Sequence, residues 1–103
     1  QQDDISQHVH FVHMGNYGSC YYICLDDDQN PVGYCGVIND DIRFAVDQSR
    51  QGQGIGTFMI NWLIQKFPNA QAKVKIDNEA SRKVFEKCGF KLKFYILEKD
   101  KNA

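Results

Sequence analysis

The sequence predicts an α/β fold with a mixed central sheet, in which an antiparallel meander is followed by a βαβ crossover and then by a further helix and strand. Three observations carry this. Short runs rich in β-branched and aromatic residues, CYYICLD, VGYCGVIN and IRFAV, are separated by clusters of Asp, Asn and Pro. A glycine-rich break then gives way to apolar residues at helical spacing. Beyond that helix the apolar period returns to two, turns helical once more, and ends in the run KLKFYILE. At 103 residues the chain has room for one domain, 1–103, and its 43% hydrophobic content with only 2 prolines is too apolar for disorder.

Taken in order, the stretch SQHVHFVHMG from Ser6 is expected to form a short helix capped by Ser6, with Val9 and Val12 on one side. Residues 20–26 and 32–39 form a hairpin around DDQNP, and a tight turn at Asp40 and Asp41 leads into a third strand at 42–46. The hydrophilic stretch DQSRQGQGIG at 47–56 breaks the strand pattern. Ile55, Phe58, Met59, Trp62 and Leu63 then recur at i, i+3, i+4, i+7 and i+8, an amphipathic helix that Pro68 ends. In 71–76 the residues Ala72, Val74 and Ile76 share a face, and a right-handed crossover would lay this strand parallel to 42–46. Asn78 caps a second helix that carries Ser81, Val84, Phe85 and Cys88 on one face. Gly89 supplies its left-handed end and Phe90 the contact after it, before a last strand at 91–98 closes the sheet.

Lys and Arg number 12 against 13 Asp and Glu, a net charge of -1 that gathers neither nucleic acid nor anionic lipid. No apolar run reaches the roughly 18 residues of a membrane span, and QQDDISQHVH lacks the basic and hydrophobic regions of a signal peptide, so a cytoplasmic location is expected. Opening on Gln1 rather than Met is what a fragment would show. Cys20, Cys24, Cys35 and Cys88 have no CxxC pairing and sit in apolar runs, as buried reduced thiols do. His8, His10 and His13 have no Cys or carboxylate at a recognised ligand interval, and no metal is expected. Asp26, Asp27 and Asp28 read as a solvated hairpin tip or as an attractor for a cationic acceptor.

Gly52, Gly54 and Gly56 stand where a strand becomes a helix. Bare backbone at that point either makes a tight turn or lets several N–H groups converge on a pyrophosphate at the positive helix end. The spacing excludes two better-known loops. A mononucleotide loop needs Gly-Lys-Ser/Thr where this chain has Gly-Ile-Gly-Thr, and the dinucleotide fingerprint needs GxGxxG where this chain has GxGxG.

Gln51-Gly52-Gln53-Gly54-Ile55-Gly56 resembles the Q/R-x-x-G-x-G/A acetyl-CoA motif of the GCN5-related N-acetyltransferase (GNAT) family. Asn78-Glu79-Ala80-Ser81, with Phe85, Lys87, Gly89 and Phe90 after it, is similar to that family's later signature, and the resemblance covers roughly 20–98. It implies that acetyl-CoA lies between splayed strands at 42–46 and 71–76. Its pantetheine arm would pair with the backbone of Phe44, Ala45 and Val46, and its pyrophosphate would accept N–H bonds from Gln51 through Thr57, including Gln53 and Ile55. Asn78, Ser81 and Phe85 would complete the cofactor side, with Asn78 at the thioester. A neutral primary amine of a small molecule, an amino sugar among the candidates, would attack the thioester directly, and a backbone N–H near Val46 would support the oxyanion.

Two departures from the family pattern stand out. Phe85 occupies the position where many members carry a Tyr that protonates the departing thiolate, and Phe has no proton to give. The candidates left for proton handling are Tyr34, Asp40 and Asp41 beside Asn78. The chain also leaves little room for the family's first strand and helix, which are expected to be lacking, and a sheet edge left open in this way predicts a homodimer. The alternative to an enzyme is a non-catalytic acyl-CoA-binding or regulatory module.

Overall fold

The computed structural model describes residues 8–14 and 20–101. Its centre is a four-stranded antiparallel sheet in the order β1-β2-β3-β4, formed by Val9–His13, Cys20–Asp26, Pro31–Ile38 and Asp41–Val46. The meander expected from the sequence is therefore present, with one addition. Residues expected to form a helix from Ser6 instead make the strand β1, which pairs Phe11 with Cys24 and His13 with Tyr22; Ser6 itself lies outside the described residues. Alternation explains the difference. Val9, Phe11 and His13 point to one side only if the chain is extended, and β2 offers a free edge to pair with.

The turn between β3 and β4 is centred on Asn39 and Asp40, at φ 50° and 66°, and Asp41 is already the first residue of β4. Two successive left-handed residues are the type I′ geometry that suits the twist of a two-residue hairpin, and Asn and Asp tolerate it better than other side chains. Gly33 in β3 answers a different need. A Cβ there would stand 2.6 Å from the Ala45 carbonyl oxygen and 3.1 Å from Met59 Cε, so the bare backbone lets the helix above come down on the sheet.

That helix, α1 (Ile55–Lys66), buries Ile55, Met59, Ile60 and Leu63 against the face that carries Val9, Cys24, Cys35, Val37 and Ile42. At its outer end Trp62 stacks on Phe11 at 3.9 Å and meets Tyr22 edge-on at 4.8 Å. Helix α2 (Glu79–Lys87) joins the same side through Phe85, which is 5% exposed and packs edge-on against Phe44 and Phe90. Its ends follow the sequence closely. The Asn78 side chain accepts from the Ser81 N–H at 3.1 Å, and Gly89, at φ 89°, lets the Gly89 and Phe90 N–H groups return to the carbonyls of Glu86 and Phe85.

Two expected strands do not form. Residues 71–76 touch β4 through a single parallel bridge, Asp41 to Gln71, held by Ile42 N–H to Gln71 O at 2.8 Å and Gln71 N–H to Asp40 O at 2.7 Å, after which the two segments part. Residues 91–98 carry no ladder at all, and Leu92, Phe94, Tyr95, Ile96 and Leu97 are exposed. The sheet among the described residues is accordingly antiparallel with one parallel contact at its edge, rather than fully mixed.

Candidate functional site

The site grows from the free edge of β4. Because Ile42 N–H and Asp40 C=O point outward to Gln71, and strand backbone groups alternate in direction, Phe44 and Val46 also turn their N–H and C=O groups away from β3. Among the described residues nothing pairs with Phe44 there. At Val46 the carbonyl receives the Gln51 side-chain amide at 3.4 Å, and its N–H is left open. The gap between β4 and 71–76 is thus a slot lined by unused backbone donors and acceptors, closed at its apex by Asp41 and Gln71.

The glycine loop stands at the other end of β4. Gly52 and Gly54 take φ 81° and 84°, and a Cβ at either would meet nothing within 4 Å, so these glycines serve backbone shape and leave open space. Gly54 is the left-handed N-cap of α1, with no side chain capping that end and no acidic residue in the first turn. Among the described residues, the N–H groups of Gly52, Gln53, Gly54, Ile55, Gly56 and Thr57 have no hydrogen-bond acceptor. A Cβ at Gly56 would stand in ordinary contact, 3.4 to 3.6 Å from Phe44, Val46 and Val84, so α1, α2 and β4 meet there. Six amides at a positive helix end, unpartnered and without a competing carboxylate, fit a diphosphate.

Arg50 was not singled out in the sequence, and it belongs here. Its guanidinium reaches Gln53 Oε1 at 3.0 Å and Asp26 Oδ2 at 3.1 Å, so it braces the loop against the β2–β3 hairpin. Asp26 is therefore not a solvated tip residue. Its other oxygen accepts the Asp28 and Asn30 N–H groups at 2.9 Å, and these backbone bonds, that of Asn30 first, together with Arg50 hold its carboxyl below the usual range. An R-x-x-Q spacing beside a glycine loop, with an Asp at a hairpin entry, was the only signal available, and only the fold joins the two.

Between the slot and α2 lies a cavity of about 350 Å³ whose lining includes Tyr34, Arg43, Phe44, Asn78, Ser81 and Phe85. Of the residues expected on the cofactor side, the cavity brings together Phe44, Asn78, Ser81 and Phe85, while Ala45, Val46 and the 51–57 loop stand outside its lining. Tyr34, 44% exposed, stands on the sheet face opposite α1, edge-on to Tyr21 at 6.0 Å. Asp41 is placed otherwise than a general base requires. Gln71 Nε2 at 3.3 Å and Lys73 Nζ at 3.2 Å bind its carboxylate and hold its pKa down, the Gln71 bond being the larger cause, so it ties the apex and is a weak proton acceptor. Asp40 lies in the turn, exposed.

Cys24 and Cys35 are fully buried free thiols under α1, pushed up by burial to about 11 and about 12, and Cys88 is half-buried with its Sγ 3.6 Å from the Thr57 carbonyl. The side chain of Cys20 is outside the described residues. His13 packs against Tyr22, while His8 pairs with Asp27 at 3.4 Å. Among the described residues no three His, Cys, Asp or Glu side chains gather as a metal would need, and no helix is long and apolar enough to cross a membrane.

No curated protein matches the chain. Among solved structures, a spermidine N-acetyltransferase from Vibrio cholerae in complex with CoA and spermine is similar at a TM-score of 0.66 and 19% identity, over 79% of this chain and 56% of that one. A dodecameric structure of spermidine N-acetyltransferase from the same organism, in an intermediate state, gives a TM-score of 0.67 at 18% identity, over 82% and 57%. Mutant forms of the Vibrio cholerae spermidine/spermine N-acetyltransferase give 0.64 at 18%, over 80% and 61%. The chain thus spans a little over half the length of these neighbours, and the likeness is one of fold. The model of the Acetyltransferase (GNAT) family matches residues 2–90, which takes in the open edge of β4, the glycine loop and the Asn78-capped helix, and the chain belongs to that family.

Proposed function

We propose that the protein is an acetyl-CoA-dependent N-acetyltransferase that moves the acetyl group to a primary amine of a small molecule by direct attack on the thioester. The observation that carries this reading is the set of unpartnered amides from Gly52 to Thr57 at the head of α1, aligned with the free edge of β4. Bound acetyl-CoA supplies an activated acyl group; the rest is the chain's work. Gly52 through Thr57 hold the diphosphate, each charge-assisted bond adding roughly 1.5 to 3 kcal/mol. Phe44 N–H and C=O and Val46 N–H bind and orient the pantetheine arm and steady the oxyanion, with Ala45 between them facing β3. Asn78 spends its side-chain oxygen on the Ser81 N–H and keeps its amide N–H₂ for the thioester end, while Ser81 and Phe85 close the slot.

Phe85 is core as well as lining, packed between Phe44 and Phe90, so it excludes water and carries no proton. Tyr34, facing the cavity from the open side of the sheet, is the group placed to pass a proton to the thiolate or from the amine. We read the location as cytoplasmic and the active form as a homodimer, the exposed apolar run 91–98 being a surface that a second copy can cover. Light scattering that shows a clean monomer at micromolar concentration excludes the dimer. For the activity, acetyl-CoA at 100 times its dissociation constant should stabilise the fold by about 2.7 kcal/mol in a thermal-shift measurement. Thiol release with an amine panel then separates enzyme from binder: a shift without turnover leaves the non-catalytic acyl-CoA-binding module.

A further inference from the structure

The cavity beside the slot is also lined by three cations, Arg43, Lys73 and Lys75. One carboxylate, Asp41, stands beside them. It is bound to Lys73 at 3.2 Å, and Arg43 lies within electrostatic reach of it. Among the described residues, neither Arg43 nor Lys75 has an ion-pair partner. Arg43 and Lys73 stand apart from the amides proposed to take the diphosphate. Arg43 sits near the start of β4 and Lys73 at the apex with Asp41, whereas the glycine loop follows the other end of the strand at Val46. Five residues of strand separate Asp41 from Val46, about 16 Å at roughly 3.3 Å per residue. Arg43 and Lys73 therefore lie toward the closed end of the slot, and Lys75, four residues past the Gln71 bridge, lines the same cavity.

Resting on the acetyltransferase reading above, we propose that the acceptor is an amine that also carries an anionic group, a carboxylate or a phosphate, which Arg43 and Lys75 hold beside the transfer point. A polyamine would bring like charge into this cleft, and a neutral amine would leave both cations unused. The same charges assist the chemistry. Cations near the bound amine favour its uncharged form, the one with a free electron pair, so the acceptor loses its proton to solvent more readily on binding. The amine nitrogen then forms its bond to the acetyl carbon as the carbon–sulfur bond breaks, and the nitrogen's remaining extra proton passes by Tyr34 or water to the leaving thiolate. A strong general base is not needed, which suits a site whose nearest carboxylate is already engaged by Gln71 and Lys73.

The test follows thiol release with amino acids, amino-sugar phosphates, neutral amino sugars and spermidine, with coenzyme A binding measured in parallel by thermal shift. The anionic amines should turn over with the highest kcat/KM, and added salt should raise their KM. Arg43→Gln and Lys75→Gln should each raise that KM roughly tenfold, with a smaller change in kcat and none in coenzyme A affinity. Arg43→Glu with Lys75→Glu should turn the preference toward spermidine. A preference for neutral or polycationic amines in the unaltered chain overturns the inference, as does intact coenzyme A binding with no turnover of any amine. A loss of coenzyme A affinity in the Gln variants also overturns it, because the cations would then serve the cofactor. Failure of the unaltered chain to bind coenzyme A removes the acetyltransferase reading itself, and this inference with it.

Discussion

Residues 20–66 and residues 71–98 carry comparable alternation of apolar and polar side chains, and they end up in different states. In the first stretch β2, β3 and β4 pair along their length and α1 seals one face, leaving Ile55, Met59, Ile60 and Leu63 at 1% exposure or less. In the second, α2 docks through Phe85, while the flanking runs stay outside any ladder; Ile76, Tyr95 and Leu97 are among the most exposed apolar side chains described. Alternation makes a segment competent to be a strand, and only a partner edge makes it one. The contrast also divides the site. One wall of the slot, β4 with its glycine loop, is anchored in the core, and the other, 71–76, is joined to β4 by one bridge and the Asp41 tie and packs on the core only through the half-buried Ala72 and Val74.

The largest expected effect sharpens this contrast in stability. Leu63→Ala should cost about 2 to 5 kcal/mol in denaturant unfolding, as truncations of fully buried leucines do, whereas Leu92→Ala should change stability by no more than about 0.5 kcal/mol. Equal losses would mean that 91–98 is packed in solution. Next comes the anchored wall. Gly54→Asp places a carboxylate and a side chain at φ 84° among the free amides, and acetyl-CoA affinity by calorimetry should fall at least about 100-fold with the fold retained. Affinity that survives Gly54→Asp would put the diphosphate elsewhere.

Smaller effects fall on the hanging wall. Asn78→Ala removes the cap of α2 and should cost about 1 kcal/mol, seen as faster amide exchange within α2 and little change in α1. The smallest is a pH effect at the apex. The Gln71 and Lys73 bonds depress the Asp41 pKa below its ordinary 3.8, so the tie stabilises the folded chain above that value and is lost as pH falls through the lower folded-state value. Gln71 amide exchange, corrected for its intrinsic pH dependence, should therefore quicken as pH falls below 3.8 while amides under α1 hold. Uniform quickening would show that the two walls open together.

How much could be read in advance follows the same division. The β2–β3 hairpin, β4, α1 and α2 announced themselves through turn residues, helical spacing and caps, all of which act within a few residues. The positive-φ glycines at the head of α1 and the Asn78 cap were legible because those signals are local, whereas Phe44 to Val46, Ser81 and Phe85 entered through the family resemblance alone. What misled was long-range. The stretch from Ser6 reads as a helix when isolated and becomes β1 because β2 offers an edge; 91–98 reads as a strand and finds no edge. Arg50 escaped notice because its role depends on Asp26, 24 residues away in the chain.

The order of turns, the placing of bare backbone at the head of α1 and the identity of the helix caps followed from the amino acids alone, since each is decided by the conformations and hydrogen bonds a residue can reach among its neighbours. Which strands pair, that Asp41 is a tie, and that Arg43, Lys73 and Lys75 converge on one cleft were decided by assembly. Edges and charges from distant parts of the chain meet only when the core has closed, and a partner's presence or absence then sets whether a segment is strand or tail and whether a carboxylate is base or brace.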